Sequence, residues 1–136
     1  MTMFIVDEST PSPEEFLSLR NSANMGHRSI KGVNKGLGNE LFAVRLLDIS
    51  SNHIVGMGRV VGDGGTVYHI CDMVIRPEWQ KKGGGTLIMN SIMNYISNQN
   101  TPDAYVNLMA DVQGFYEKWG FVKSSPKSEG MFLKSK

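Results

Sequence analysis

The junction between Val74 and Thr86 constrains this chain more than any other segment. A run with strand character closes in Val74-Ile75-Arg76 and ends at Pro77. After Glu78-Trp79-Gln80, the stretch Lys81-Lys82-Gly83-Gly84-Gly85 opens a segment with helical periodicity. A strand that passes into a helix this way leaves unpaired main-chain N–H groups at the positive end of the helix dipole, which stabilises an anion. Glycine lets the main chain approach such an anion closely or take a positive φ. The segment therefore predicts a phosphate-bearing ligand gripped by the amides of Lys82, Gly83, Gly84, Gly85 and Thr86, with Gln80 and Lys81 at its flank. A solvated glycine turn is the plain alternative. A nucleotide P-loop is excluded, because it needs Gly-Lys-Ser/Thr after the last glycines and Gly85-Thr86-Leu87 lacks the lysine.

The rest of the chain alternates strand and helix patterns. Phe4 to Val6 reads as a first strand. In Ser12-Pro13-Glu14-Glu15, Ser12 reads as an N-cap, Pro13 as the first helical residue and Glu15 as the closure of a capping box. That helix presents Phe16, Leu17, Leu19 and Arg20 and fades near Asn24. Gly26 to Gly38 is glycine-rich and basic, a loop or a short helix. Leu41 to Leu47 and Ile54 to Val61 form a hairpin about the cluster Asp48-Ile49-Ser50-Ser51-Asn52, and Asp63-Gly64-Gly65 turns the chain into a long strand, Thr66 to Ile75. Beyond the glycines, Leu87, Ser91 and Tyr95 make one i, i+4, i+8 row and Ile88, Ile92 and Ile96 the next. This pattern is an amphipathic helix, stopped by Asn98 to Pro102. Ala104 to Leu108 is another strand, and Gly114 to Trp119 a short helix closed by Gly120. Phe121-Val122 and Met131 to Leu133 read as two further strands about the polar loop Lys123 to Gly130. The order predicts one α/β domain over residues 1–136, built around a single mixed sheet.

Composition narrows the function. A net charge of +1 gives no reason to expect nucleic acid or a membrane surface as partner. The single Cys71 excludes an internal disulfide and a multi-cysteine zinc site, so no metal is expected. No signal-peptide pattern or membrane-length apolar run is present, which makes the cytoplasm the expected location.

Two blocks carry a family resemblance. Val74, Pro77, Glu78 and Trp79 followed by Gln80-Lys81-Lys82-Gly83-Gly84-Gly85 form the first, and Phe115-Tyr116-Glu117-Lys118-Trp119-Gly120-Phe121 the second. In this order, with a helix and a strand between them, they resemble the signatures of the GNAT superfamily of acetyl-CoA-dependent N-acetyltransferases. The match is specific over residues 72 to 121. It implies a mostly antiparallel central sheet flanked by helices, acetyl-CoA as co-substrate, and transfer of the acetyl group to the primary amine of a small molecule. Acetylation of a protein or peptide amine and a non-catalytic acetyl-CoA-binding module stand as alternatives. Small proteins of this kind are often homodimers. Two departures stand out: Gly84 replaces a usual aliphatic residue and implies a looser loop, and Met109 and Val112 occupy the places of an Asn-x-x-Ala stretch whose asparagine touches pantetheine.

The resemblance also implies roles. Tyr116 falls where the family places the group that protonates departing coenzyme A. A phenol can donate to a more acidic thiolate, and packing is the alternative role. The strand from Thr66 to Ile75 should splay from its neighbour, so that the pantetheine arm runs along the main chain of Met73, Val74 and Ile75 and the thioester carbonyl is polarised there. His69 and Cys71 fall on positions where aralkylamine-type relatives carry relay histidines, and Asp72 where aminosugar-phosphate relatives carry an aspartate. His69 is a half relay or a packed histidine; Asp72 is a base or, more simply, a structural carboxylate. Strict alternation puts His69 and Cys71 on one face and Asp72 on the other. Acceptor specificity should lie in Asn24 to Glu40 and Lys123 to Gly130. There His27, Arg28 and Lys31 are either a site for an anionic acceptor or a solvated basic loop.

Overall fold

The computed structural model describes residues 3–136. Strand β1 (Phe4–Asp7) precedes helices α1 (Pro13–Ser22) and α2 (Ile30–Gly36), and the meander of β2 (Phe42–Asp48), β3 (Ile54–Gly62) and β4 (Val67–Ile75) follows. A single 3₁₀ turn, Pro77–Trp79, leads into α3 (Gly84–Asn98), then β5 (Tyr105–Leu108) and a second 3₁₀ turn, Tyr116–Trp119. The five strands lie in chain order in one sheet, antiparallel except for the parallel pair β4–β5. The mixed, helix-flanked α/β architecture implied by the sequence is the one observed.

Local chemistry sets the elements. The Ser12 hydroxyl accepts from the Glu15 N–H while the Glu15 carboxylate accepts from the Ser12 N–H, completing the capping box that starts α1. Helix α2 starts where the Ser29 hydroxyl accepts from the Gly32 N–H, and it seats Val33 in the core. Two cores flank the sheet. Ile88, Met89 and Ile92 of α3 press on Val44, Leu46, Val60, Tyr68 and Ile70 on one face. Phe16 and Leu19 of α1 cover Leu47, Met57 and Val74 on the other. Each such fully buried aliphatic side chain contributes about 1.5–3 kcal/mol by leaving water.

Three expectations are corrected. Phe121-Val122 and Met131 to Leu133 form no strand: Val122, Met131, Phe132 and Leu133 are all nearly fully exposed. Neither run offers more than three consecutive apolar residues, too few to offset the ordering of the polar chain around them. The third correction concerns β4. Met57 pairs with Val74 but Arg59 with Cys71, so β4 carries one extra residue at this point. Asp72, with φ 56°, takes up the slip in a left-handed conformation that aspartate tolerates better than most residues. The bulge breaks the alternation, so that Asp72 faces the α1 side together with His69 and Cys71 while Met73 turns to α3. No helix among the described residues is long and apolar enough to cross a membrane.

Candidate active site

The β4–β5 pair opens where the site begins. Their ladder runs from Val67–Tyr105 to Ile70–Leu108 and stops, because β5 ends while β4 continues for five residues. The Arg76 N–H donates to the Val55 carbonyl, so the alternating main chain directs Val74 toward β3 as well. Met73 and Ile75 consequently turn their main-chain groups toward the gap, and the Ile75 carbonyl there accepts from the Gln80 side-chain amide. Val74 does not face the gap. Its side chain belongs to the α1 core.

At the lower end of the gap lies the turn into α3. Lys81 (φ 62°) and Gly83 (φ 87°) are both left-handed, and Gly83 is the N-cap without any side-chain cap. The first helical hydrogen bond is Leu87 N–H to the Gly83 carbonyl. Among the described residues the amides of Lys82, Gly83, Gly84, Gly85 and Thr86 have no acceptor, and the first turn of α3 carries no acidic residue. Alternating handedness of this kind makes a concave nest of N–H groups, and the dipole adds to its positive potential. The lysines 81 and 82 are exposed beside it. Gly84 has a packing reason: a Cβ there would come within 2.7 Å of the Leu46 side chain, so its absence seats the start of α3 on the sheet. A Cβ on Gly85 would stand 3.1 Å from the Phe115 ring, which ties the turn to the segment bearing Tyr116.

At the upper end a cleft of about 960 Å³ opens between the α1–α2 arch and the β4–β5 mouth. His69, Cys71, Asp72, Met73 and Tyr116 all line it. Tyr116 packs edge-on against Phe115 at 5.1 Å and Phe121 at 6.4 Å. Burial, and then the nearby charge of Asp111, push its phenol above the ordinary tyrosine value, so it holds its proton. His69 Nδ1 donates to Asn107 Oδ1 at 2.6 Å, which in the neutral imidazole puts the lone pair on Nε2. Burial, followed by Asp72, pushes the Cys71 thiol up to about 12, which leaves it a neutral packing group at physiological pH.

Asp72 is enclosed. Arg20 Nη1 donates to Oδ1 at 2.6 Å, and Arg59 Nε and Nη2 reach Oδ2 at 2.9 Å. The three side chains are 5%, 8% and 15% exposed for Arg20, Asp72 and Arg59. Arg59 also donates to Glu40 at 3.0 Å. Asp72 thus ties α1, β3 and β4 together beneath the cleft, a structural carboxylate held by guanidiniums rather than by main-chain amides. Arg20, Arg59 and Asn107 are missed by motif reasoning. Arg20 alone left a signal, an arginine next to Leu19 on the stripe that α1 buries. The other two become partners only through strand register.

Comparison with known proteins shows the family and the fold. Residues 31–134 match the family described as acetyltransferase (GNAT) domain. A Staphylococcus aureus protein of unknown function, described as a probable acetyltransferase, is 40% identical, with a TM-score of 0.92 over 98% of this chain and 100% of that one. A GNAT-family acetyltransferase structure from Streptococcus pneumoniae is 25% identical, with a TM-score of 0.78 over 98% of each chain. An uncharacterised N-acetyltransferase, ycf52, of the alga Porphyra purpurea is 29% identical over 120 residues, covering 87% of this chain and 69% of the relative.

Proposed function

The chain belongs to the GNAT acetyltransferases, and from that premise we propose that it moves the acetyl group of acetyl-CoA onto the primary amine of a small molecule. The observation that carries this reading is the unpaired edge of β4, from Cys71 to Ile75, which runs from the nest of amides at α3 to the cleft beneath the α1–α2 arch. A coenzyme whose diphosphate sits on the amides of Lys82 to Thr86 would lay its pantetheine arm along Met73 and Ile75 as an added strand. Its thioester then reaches the cleft with its carbonyl near the main-chain N–H groups of the bulge, which supply polarisation.

The chemistry follows from the groups at hand. An alkylammonium with a pKa near 10 must first lose a proton, at a cost of about 4 kcal/mol at neutral pH. His69, oriented by Asn107, is the group whose free Nε2 can take that proton through a water. Asp72 is occupied by Arg20 and Arg59 and is assigned to scaffolding. The amine lone pair then attacks the thioester carbon, the C–N bond forms and the C–S bond breaks. Its electrons leave on sulfur, Tyr116 protonates the thiolate, and the second proton shed by the new amide nitrogen returns to the Tyr116 oxygen through water. A cleft of about 960 Å³ bounded on one side by the α1–α2 arch has the volume of a small-molecule site.

Calorimetry with acetyl-CoA and thiol release against a panel of small amines and lysine peptides test the proposal together. Binding with turnover on small amines supports it. Binding with turnover on peptides alone overturns the small-molecule acceptor, and no heat with acetyl-CoA or CoA overturns the enzyme reading itself.

A further inference from the structure

The acceptor end of the cleft is richer in cations than its own carboxylates can balance. Arg20, Arg28 and Arg59 all line it. Asp72 answers Arg20 and Arg59, and Glu40 answers Arg59 from behind. Arg28 has no carboxylate among the described residues; its Nη1 only donates to the carbonyl of its neighbour His27 at 3.1 Å. Arg20 is also incompletely matched. The residue is 4% exposed, spends one donor on Asp72 and one on the Gly26 carbonyl at 2.7 Å, and its buried Nε has no acceptor. Burial lowers the Arg20 guanidinium from its ordinary value, Asp72 opposes the fall, and the charge of Arg28 adds to it. Arg28 is solvent-exposed and lies beside the desolvated Arg20, and an anion seated there would relieve the repulsion between the two guanidiniums.

Three other features sharpen the placement. The Phe16 ring lies under both Arg20 and Arg59, at 5.8 and 5.4 Å, which fixes the two guanidinium planes as one side of the cleft. Met25, Val33 and Leu37 supply apolar lining to the same cleft. Asp111, the one other acidic residue lining the cleft, stands at the Tyr116 end, where an incoming ammonium would arrive. Asp111 thus puts negative charge near Tyr116, while Arg20, Arg28 and Arg59 cluster at the arch and Lys134 and Lys136 of the C-terminal segment add to the positive lining.

We infer that the acceptor is a primary amine carrying an acidic group, a carboxylate or a phosphate, with its amine at the β4–β5 mouth and its acid held by Arg28 beside Arg20. The inference rests on the acetyl-transfer reading of this site. An acid seated there orients the molecule end to end, so that only the amine reaches the thioester. A neutral amine of the same length lacks that anchor and binds in either sense.

Matched pairs decide it. Thiol release by the full chain with acetyl-CoA is measured for ethanolamine against O-phosphoethanolamine and for pentylamine against 5-aminopentanoate. The acidic member of at least one pair should show kcat/KM at least about tenfold higher, as a charged hydrogen bond provides. The pair that responds distinguishes phosphate from carboxylate. In Arg28→Gln that preference should collapse, chiefly through KM for the acidic amine, and Arg28→Lys should restore part of it. With the cofactor cleft saturated by CoA, acetate or inorganic phosphate should bind calorimetrically to the wild-type chain and more weakly to Arg28→Gln. Equal or better turnover of the neutral members overturns the inference and leaves the acetyltransferase reading standing. Turnover of neither member, with no anion binding to the CoA-saturated chain, also overturns it. Absence of acetyl-CoA binding removes the reading beneath it.

Discussion

Replacing Asp72 with Asn tests the assignment on which the division of labour in the cleft depends. Asn has the volume of Asp and accepts a left-handed φ of 56° equally well, so the bulge keeps its backbone. What changes is charge. Arg20 and Arg59 lose a carboxylate they contact at 2.6 and 2.9 Å, and the new amide NH₂ meets one of them donor to donor. With side chains only 5% and 15% exposed, neither guanidinium can recover its loss from water. Arg59 keeps Glu40, whereas Arg20 keeps only a main-chain carbonyl. Breaking a buried pair from one side costs about 3–5 kcal/mol, and the retained amide oxygen puts this case near about 3 kcal/mol. For a chain of this length that lowers Tm by about 10 °C. Urea unfolding and scanning calorimetry read the loss directly, and thiol release measured well below the new midpoint reads the chemistry. A Tm within about 2 °C of wild type, accompanied by collapse of kcat, would refute the reasoning and make Asp72 the base.

Four further outcomes follow from the geometry. Tyr116→Phe should lower kcat at least about tenfold while calorimetric CoA affinity is retained, and unchanged kcat removes the phenol from proton transfer. Because burial and Asp111 raise that phenol, the loss of its acid form falls above about pH 10. Asp111→Asn removes one of the two causes, so the alkaline limb of kcat should move to lower pH; a limb that stays or rises contradicts the assignment. Gly83→Ala meets no atom within 4 Å but holds a left-handed φ of 87°, at about 1 kcal/mol of strain, so it should fold. Gly83→Glu bears the same strain plus a negative charge at the nest, and should bind CoA at least about tenfold more weakly than Gly83→Ala; equal affinities would argue against phosphates there. With its thiol raised to about 12, folded Cys71 should react with iodoacetamide at pH 8 at least about a hundredfold more slowly than in urea, and comparable rates would place it in solvent.

What the sequence made legible was whatever depends on neighbours within a turn or two. The Ser12–Glu15 box, the i, i+4 rows of α3 and the turn clusters of the meander all act locally, and the structure contains each of them. The glycine triplet was legible as a turn, but the separate duties of its members were not. That Gly84 meets Leu46 and Gly85 meets Phe115 depends on residues 38 and 30 positions away. The face of Asp72 differs because period-2 alternation has no means of registering a slipped pair, and the partners of its carboxylate, Arg59 and Arg20, lie in two other elements. The closing strands failed for a related reason. A short apolar run such as Met131 to Leu133 has strand propensity, but whether it joins a ladder depends on an edge that the run itself does not encode.

The extra residue in β4 acts like a half-step in a thread. Everything after it, Met73 and Ile75 and then the helix that follows, is set half a repeat out of phase with what precedes it. Removing one residue at this point would exchange the α1-facing and α3-facing sides of the strand's last third and drive Val74 into the wrong layer. This stretch is therefore fixed in length as well as at Asp72. On the proposed function, diversification of the acceptor would fall to the arch between Ala23 and Leu37, which lines the site without being threaded through it.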